Sequence, residues 1–416
     1  MKKNQKKSQF RGAAKPKPYR SRHVTPDTTD NFQCIMSACE DNCCRNTTWT
    51  ISVDKDSYKK YARLGDEVGE RILSCIEDTG TMYKFKEFGD GKCPLMLENG
   101  LCYIHKNLGE GYLCTTCKTY PRVTTYFNKK REYWLSLSCP EVVRHVLYQE
   151  KFLNLRETPV TLEGAPLSSQ LDAEKGMVRD MLEDIIAYPM LTIKEKLLYM
   201  GVFMRSVAKA DRFSTQYTLE VKKAIYSCND GLESAWQMLS EHAGMLGAID
   251  SEQRKTILNF LALFTYKVAI PPKLHPEGIA NAKYYTLMGD FHKDVASGAA
   301  FNYVLDTFEG KIVPYVNSKP HVFVNYLQYV LLSSRFLAEQ DDFAKAYAGL
   351  AGEFAALLVF ACMFHESETF GDEEMVAAMY LFHRRVSHNQ NLRKALAAQF
   401  SDNVLVFLLA ALGGIQ

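Results

Sequence analysis

Ten of the twelve cysteines fall between positions 34 and 139, and this crowding constrains the fold more than any other feature. Cys34, Cys39, Cys43 and Cys44 come first. Cys75 follows alone, and then come Cys93 and Cys102, Cys114 and Cys117, and Cys139. Cysteines that serve only as small buried hydrophobes scatter through a core; they do not gather into pairs and doublets. Cys114-x-x-Cys117 places two sulfurs on one turn. The Asn99-Gly100 turn brings Cys93 and Cys102 together across a hairpin. Cys39 and Cys43 are spaced to span one helical turn or a tight loop. Thiolates at such spacings hold zinc tetrahedrally or sit at the corners of an iron–sulfur cluster, about four to a centre. Setting Cys75 aside, nine candidate ligands remain, more than one such centre uses. Neighbouring side chains of an extended chain point to opposite sides. The doublet Cys43-Cys44 therefore serves one centre only where the backbone turns; otherwise one sulfur faces a second centre or packs behind the first. His105, three residues after Cys102, is an alternative ligand.

The competing use of paired cysteines is disulfides, and compartment decides between the two. The basic start leads into Pro and Arg, with no apolar core of a secretory signal. The most apolar window, Ala344 to Phe364, contains Lys345 and Glu353, whose burial in lipid is costly. A cytoplasmic location is the expectation, and thiols stay reduced there, which moves the cysteines from disulfides towards metal. Residues 1–26 carry nine Lys or Arg and no acid; the whole chain is +2, so the remainder is −7. That arm reads as a solvated, disordered tail.

The chain reads as an α+β N-terminal cysteine-rich metal-binding domain over 27–155, then a larger mainly α-helical domain over 165–416, predominantly α overall. Residues 154–168, with Pro159, Gly164 and Pro166, mark the boundary. Trp49 to Val53, Tyr83 to Phe88 and Arg131 to Leu137 are expected strands. Asp54 opens a helix to about Ile76, and Cys139-Pro140-Glu141 opens another, with Pro in its first turn. Beyond 168 helical spacing dominates, with helices expected near 171–187, 215–227, 231–244, 252–268, 280–296, 320–338, 342–364, 372–386, 391–399 and 402–411. Thr192 to Glu195 is a capping box, and Pro271-Pro272 and Pro314 mark breaks.

At the cysteines the chain resembles the YkgJ-type cysteine-cluster proteins. The resemblance lies in Phe32-Gln33-Cys34 through Cys43-Cys44-Arg45, in Cys93-Pro94-Leu95, in Gly100 to His105, and in Cys114 with Tyr120-Pro121-Arg122. The wider spacing, with Ser37 to Asp41 ahead of the doublet, is similar to one branch, the flagellin lysine-N-methylases. So are Trp49-Thr50-Ile51, Tyr58 with Tyr61, Cys139-Pro140-Glu141, the long helical second half, and His388-Asn389. The resemblance implies methyl transfer from S-adenosylmethionine to the ε-amine of surface lysines of flagellin in the bacterial cytoplasm. The partner is then flagellin, with neither nucleic acid nor membrane, and the protein acts as a monomer. It also implies metal held by Cys34, Cys39, Cys43, Cys44, Cys93, Cys102, Cys114, Cys117 and Cys139, a 4Fe-4S cluster being favoured over zinc. Spacing alone does not separate the two metals.

No glycine-rich dinucleotide fingerprint is present, since Gly65, Gly69, Gly89 and Gly91 are not spaced as one. The third cysteine of the usual radical S-adenosylmethionine motif is missing, its place being Asn46. Ordinary radical chemistry is therefore not expected. The methyl donor that the resemblance implies is expected to bind by a route other than a dinucleotide fold, on the cluster itself, its aminoacyl end near Tyr120 and Arg122. The Arg122 guanidinium fork suits a carboxylate; a structural salt bridge is the alternative. Tyr120 and Tyr103 either line a lysine channel or pack in the core. The attacking amine, with a reference pKa of about 10.4, must be made neutral, and no residue stands out as its base. Glu40 and Asp41 read as solvent-facing acids or helix caps. Two other readings remain: a non-catalytic zinc-binding interaction protein, and a nucleic-acid binder acting through the basic arm. Metal analysis with visible absorption separates zinc from iron and sulfide.

Overall fold

A computed structural model describes residues 19–41, 43–44, 50–86, 92–150, 154–162, 170–208, 251–269, 282–333, 335–386, 394–395, 397–398 and 412–415. The expected helices 215–227, 231–244 and 402–411 lie outside these residues, as do most of 391–399, Trp49, Pro271-Pro272 and His388-Asn389.

Strand β1 (Tyr19–Pro26) is followed by helix α1 (Asp27–Asn31), and the cysteine loop then leads to β2 (Ser52–Val53). The helix expected from Asp54 to Ile76 is two helices, α2 (Lys55–Ala62) and α3 (Glu67–Ser74). Gly65, at φ +62, takes the left-handed turn that ends the first. Each helix has its own aspartate cap: Asp54 accepts from Ser57 N–H and Asp66 from Gly69 N–H, both at 2.8 Å. Strands β3 (Ile76–Asp78) and β4 (Tyr83–Phe85) complete a small antiparallel sheet in the order β2-β4-β3. It shares a compact core with Tyr61, Ile72, Leu95, Ile104, Cys93 and Cys114.

Helices α4 (Tyr103–Leu108) and α5 (Thr115–Thr119) precede the hairpin β5 (Arg122–Phe127) and β6 (Lys130–Leu135). Its two-residue turn, Asn128-Lys129, holds both residues at positive φ, the twist that favours tight hairpins. Helix α6 (Pro140–Leu147) and strand β7 (Leu155–Leu162) follow. The larger sheet runs β5-β6-β1-β7, with β1 parallel to β6 and antiparallel to β7.

This sheet corrects two expectations. Residues 19–26, read as part of the basic tail, form β1, paired along its whole length with β7. Its Arg22 bonds Glu157 of β7 at 2.6 Å, as does Lys130 of β6, while Val24 is buried. Residues 155–162, read as boundary, are that β7. The larger core also crosses the expected boundary, joining Phe32, Phe127, Leu135, Cys139 and Val142 to the helices beyond 170.

Those helices are α7 (Gln170–Ala187), α8 (Ile193–Ala208), α9 (Ser251–Ala269), α10 (Ala282–Ser297), α11 (Val304–Thr307), α12 (Val313–Ser318), α13 (Pro320–Leu332), α14 (Arg335–Glu339), α15 (Phe343–Phe360) and α16 (Asp372–Val386). Thr192 and Glu195 form the expected capping box. Pro314 does not break the chain. A π-turn over Phe308–Ile312 leads directly into α12, and its wider turn lets the chain continue through Pro314 in the first turn of α12. Helix α15, capped by Asp342, is apolar around its circumference and forms the axis of the core. Phe343–Phe364 is long and apolar enough to cross a membrane, yet its apolar window is 94 % buried inside the protein.

Candidate metal centre

The fold gathers the cysteines by placing them on turns and helix starts. Cys102, Cys114 and Cys139 are the residues immediately before α4, α5 and α6. A helix N-terminus favours a thiolate over a thiol. Cys117 follows Cys114 in the first turn of α5. Asp54 holds that turn in place: its Oδ2 accepts from Thr115 N–H at 2.9 Å while its other oxygen caps α2. Burial opposes the Asp54 charge, but the hydrogen bonds from Thr115 and Ser57 outweigh it and hold the carboxyl below its ordinary range. Asp54→Ala is therefore expected to lower stability by about 1–2 kcal/mol at neutral pH, the usual weight of such a cap, measured by urea unfolding. Because the folded-state pKa is depressed, this stabilisation is present above the unfolded value of about 3.9 and disappears as pH falls below it. Equal wild-type and variant stability at pH 7 counts against the role.

Cys93 N–H donates to Cys44 C=O at 2.7 Å, fastening the doublet to the hairpin segment. Gly100, at φ +78, makes the turn that lets Met96 and Cys102 pair across it. The side chains of Cys43 and Cys44 lie close enough to shift each other's thiol, as do those of Cys114 and Cys117. Cys43 is the hub: its charge reaches Cys44, Cys93, Cys102, Cys117 and Cys139. Cys39 lies within reach of Cys139, and Cys75 within reach of Cys93. Cys34 is exposed and its sulfur accepts from Met36 N–H. The described cysteines are all free thiols. Among the described residues, no three His, Cys, Asp or Glu side chains are spaced to hold a metal ion as they stand.

The chemistry of this donor set nonetheless suits a cationic centre. Burial pushes the thiols of Cys39 and Cys93 up to about 12 and that of Cys139 up to about 11, and charged neighbouring thiols add to the rise. Two thiols are held below the ordinary range against their burial: Cys43, beside Cys44 and facing the Arg384 charge, and Cys114, beside Cys117. Several buried thiolates repel one another in this space; a metal cation among them reverses that sign.

Tyr120 belongs to this group. It is half-buried, its peptide bond to Pro121 is cis, and its hydroxyl lies 3.1 Å from Ser138 Oγ. Burial, and then the Cys139 charge, push its phenol well above the usual range. Arg122 is exposed; it donates to Phe32 C=O at 3.1 Å and lies over the Phe32 ring. It braces the Cys34 segment through a backbone carbonyl, a contact that is neither of the two roles expected for it. Tyr103 is half-buried under the Arg71 guanidinium. The acids beside Cys39 are paired, which corrects their reading as solvent-facing or capping groups. Glu40 bonds Arg144 of α6. Asp41 is 0 % exposed and bonds Arg384 of α16.

Arg384 escaped the sequence reading, since a cation in the last turn of a helix is ordinary. The signal was its register: three and four residues after Leu381 and Tyr380, it continues a buried stripe.

Residues 179–411, more than half the chain, match the family model described as FliB lysine N-methylase C-terminal domain. Among curated proteins, "Lysine-N-methylase" of Salmonella choleraesuis (strain SC-B67) is 34 % identical over 155 residues, covering 34 % of this chain and 37 % of that protein. The protein of the same name from Salmonella typhimurium (strain LT2) gives the same identity and coverage. "Flagellar biosynthetic protein FliU" of Salmonella muenchen is 34 % identical over 142 residues, 32 % of this chain and 80 % of that protein. The matched stretch thus spans little more than a third of the two lysine-N-methylases. No solved structure matches. The matched region contains α16 and the arginine that enters the thiol site, and on this coverage the chain belongs to the FliB lysine N-methylase family.

Proposed function

We propose that the protein is an S-adenosylmethionine-dependent protein-lysine N-methyltransferase acting on surface lysines of flagellin, in the bacterial cytoplasm, with an iron–sulfur cluster held by the thiols grouped around Cys43. The match of residues 179–411 to the lysine N-methylase domain carries this reading. The relatives named for lysine methylation and for flagellar biosynthesis support its substrate. When bound, a cluster held by three thiolates leaves one iron open to N, O or S atoms of a small molecule and so supplies an anchor for the donor's aminoacyl end.

The rest falls to the chain's own groups. The lysine nitrogen uses its lone pair to form a bond to the sulfonium methyl carbon; the carbon–sulfur bond breaks and sulfur keeps the electron pair. The amine must arrive neutral, and the proton it sheds passes to solvent. Tyr120, kept protonated by its burial, offers a hydroxyl hydrogen bond beside Cys139 without competing for that proton. The Cys39–Cys44 loop, held by Asp41 and Glu40, gives the site a fixed wall, and in-line transfer depends on such fixed geometry.

Purified flagellin incubated with the anaerobically isolated protein and S-adenosylmethionine should gain mass in whole methyl units on lysine residues, read by mass spectrometry. A colourless, zinc-loaded protein that adds no methyl mass removes this reading and leaves the non-catalytic one.

A further inference from the structure

We infer that Arg384 is a positioning residue for the thiol site: it crosses from α16 and clasps both the Cys39–Cys43 loop and the turn that presents Cys139. The inference rests on the reading that these thiols hold metal, and deepens it by making the helical half part of the site's construction.

Three hydrogen bonds carry the argument. Arg384 Nη1 donates to Asp41 Oδ2 at 2.7 Å, Nη2 donates to Asp41 C=O at 2.7 Å, and Nε donates to Ser138 C=O at 3.2 Å. Asp41 lies between Cys39 and Cys43, and Ser138 immediately precedes Cys139. One rigid guanidinium plane therefore fixes two cysteine-bearing segments that are nearly a hundred residues apart in sequence. A lysine carries the charge but lacks the planar fork that reaches three acceptors at once.

The location matters as much as the bonds. Cys139 packs in the large core with α16, whereas Cys93 and Cys114 pack in the small one. The thiol group forms where these two cores meet, and Arg384 is anchored on the large one. Both Arg384 and Asp41 are buried at 2 % and 0 % exposure. A buried pair is a costly device and often adds nothing to stability, so its worth lies in what it holds in place. The protein contains its own control. Arg179 and Glu132 form a second pair, at 2.8 Å and 7 % and 0 % exposure, joining α7 to β6; the Arg179 acceptors Glu132 and Leu332 C=O lie on segments that carry no cysteine.

The test compares full-length wild type, Arg384→Lys and Arg179→Lys, isolated anaerobically, with folding checked by far-UV circular dichroism. Iron, zinc and sulfide per chain and the visible spectrum are read after a chelator challenge. Arg384→Lys should retain the helical signal yet bind metal about 10–100-fold more weakly, the usual effect of removing a group that orients ligands; Arg179→Lys should keep wild-type metal. Equal loss in both variants, or wild-type retention in Arg384→Lys, overturns the inference. Asp41→Asn, nearly isosteric, replaces Arg384→Lys should that variant not fold, with the same expected loss.

Metal-free wild type would instead defeat the metal reading, and thiol chemistry then decides the inference alone. Modification by a chromogenic disulfide, mapped by mass spectrometry, should proceed at least about tenfold faster at Cys39, Cys43 and Cys139 in Arg384→Lys than in wild type, with exposed Cys34 as the internal reference. Unchanged rates overturn it.

Discussion

Cys43→Ser should strip the protein of bound metal and reduce lysine methylation by on the order of 100-fold or more, beyond the 10–100-fold typical of residues that merely support a ligand. The reason is where Cys43 sits. Its charge reaches five other cysteines, drawn from the doublet, the hairpin, the start of α5 and the start of α6, so a centre shared among these segments passes through it. Its surroundings also favour it as thiolate, through the neighbouring Cys44 side chain and the Arg384 charge. Serine keeps the size and a hydrogen-bonding group but has no soft anionic sulfur. Cys34→Ser is the comparison: Cys34 was among the expected ligands, but that thiol is exposed and accepts from Met36 N–H, so metal and activity should stay within about twofold. Metal content and turnover on flagellin measure both variants. Wild-type metal in Cys43→Ser removes the cysteines as the cofactor's seat, whatever the activity.

The cysteine pairs were legible because their spacing is local. Cys114-x-x-Cys117 and the Asn99-Gly100 turn depend on a few residues, and both formed as read. Long periodic helices were legible for the same reason: 372–386 was expected and is α16. What the sequence hid was set by distant partners. Residues 19–26 look like a tail until β7 supplies a strand to pair with and Glu157 supplies the counter-charge. The helix from Asp54 looks continuous because Leu64 and Val68 keep its period, and one left-handed glycine overrides them. Asp41 and Arg384 are 343 positions apart; nothing local marks a charged pair that only the meeting of two cores creates. The candidate site is thus half local, in its sulfurs, and half tertiary, in the groups that hold them.

Arg179→Ala should destabilise the protein by about 3–5 kcal/mol, the loss expected when one partner of a buried ion pair is removed. Glu132 has no exposed side-chain surface, and Arg179 donates to it at 2.8 Å while its guanidinium lies over the Phe127 ring. Removing the arginine takes the 2.8 Å charge partner from a carboxylate buried under α7 and opens space beside Phe127, so the loss exceeds the modest net worth of the intact pair. That asymmetry is the physical content of the prediction. Replacing both partners with apolar residues of similar volume, Arg179→Met with Glu132→Leu, should recover most of the stability, because no charge is then stranded. Urea unfolding followed by circular dichroism reads both, and the thermal midpoint of Arg179→Ala should fall by about 4–6 °C if this core melts as one unit. The sheet is tied to the helical core at this point, with β6 also receiving the Tyr329 hydroxyl at Leu135 C=O, 2.6 Å. A double variant no more stable than Arg179→Ala means that packing around Phe127, and not the unpaired charge, sets the cost.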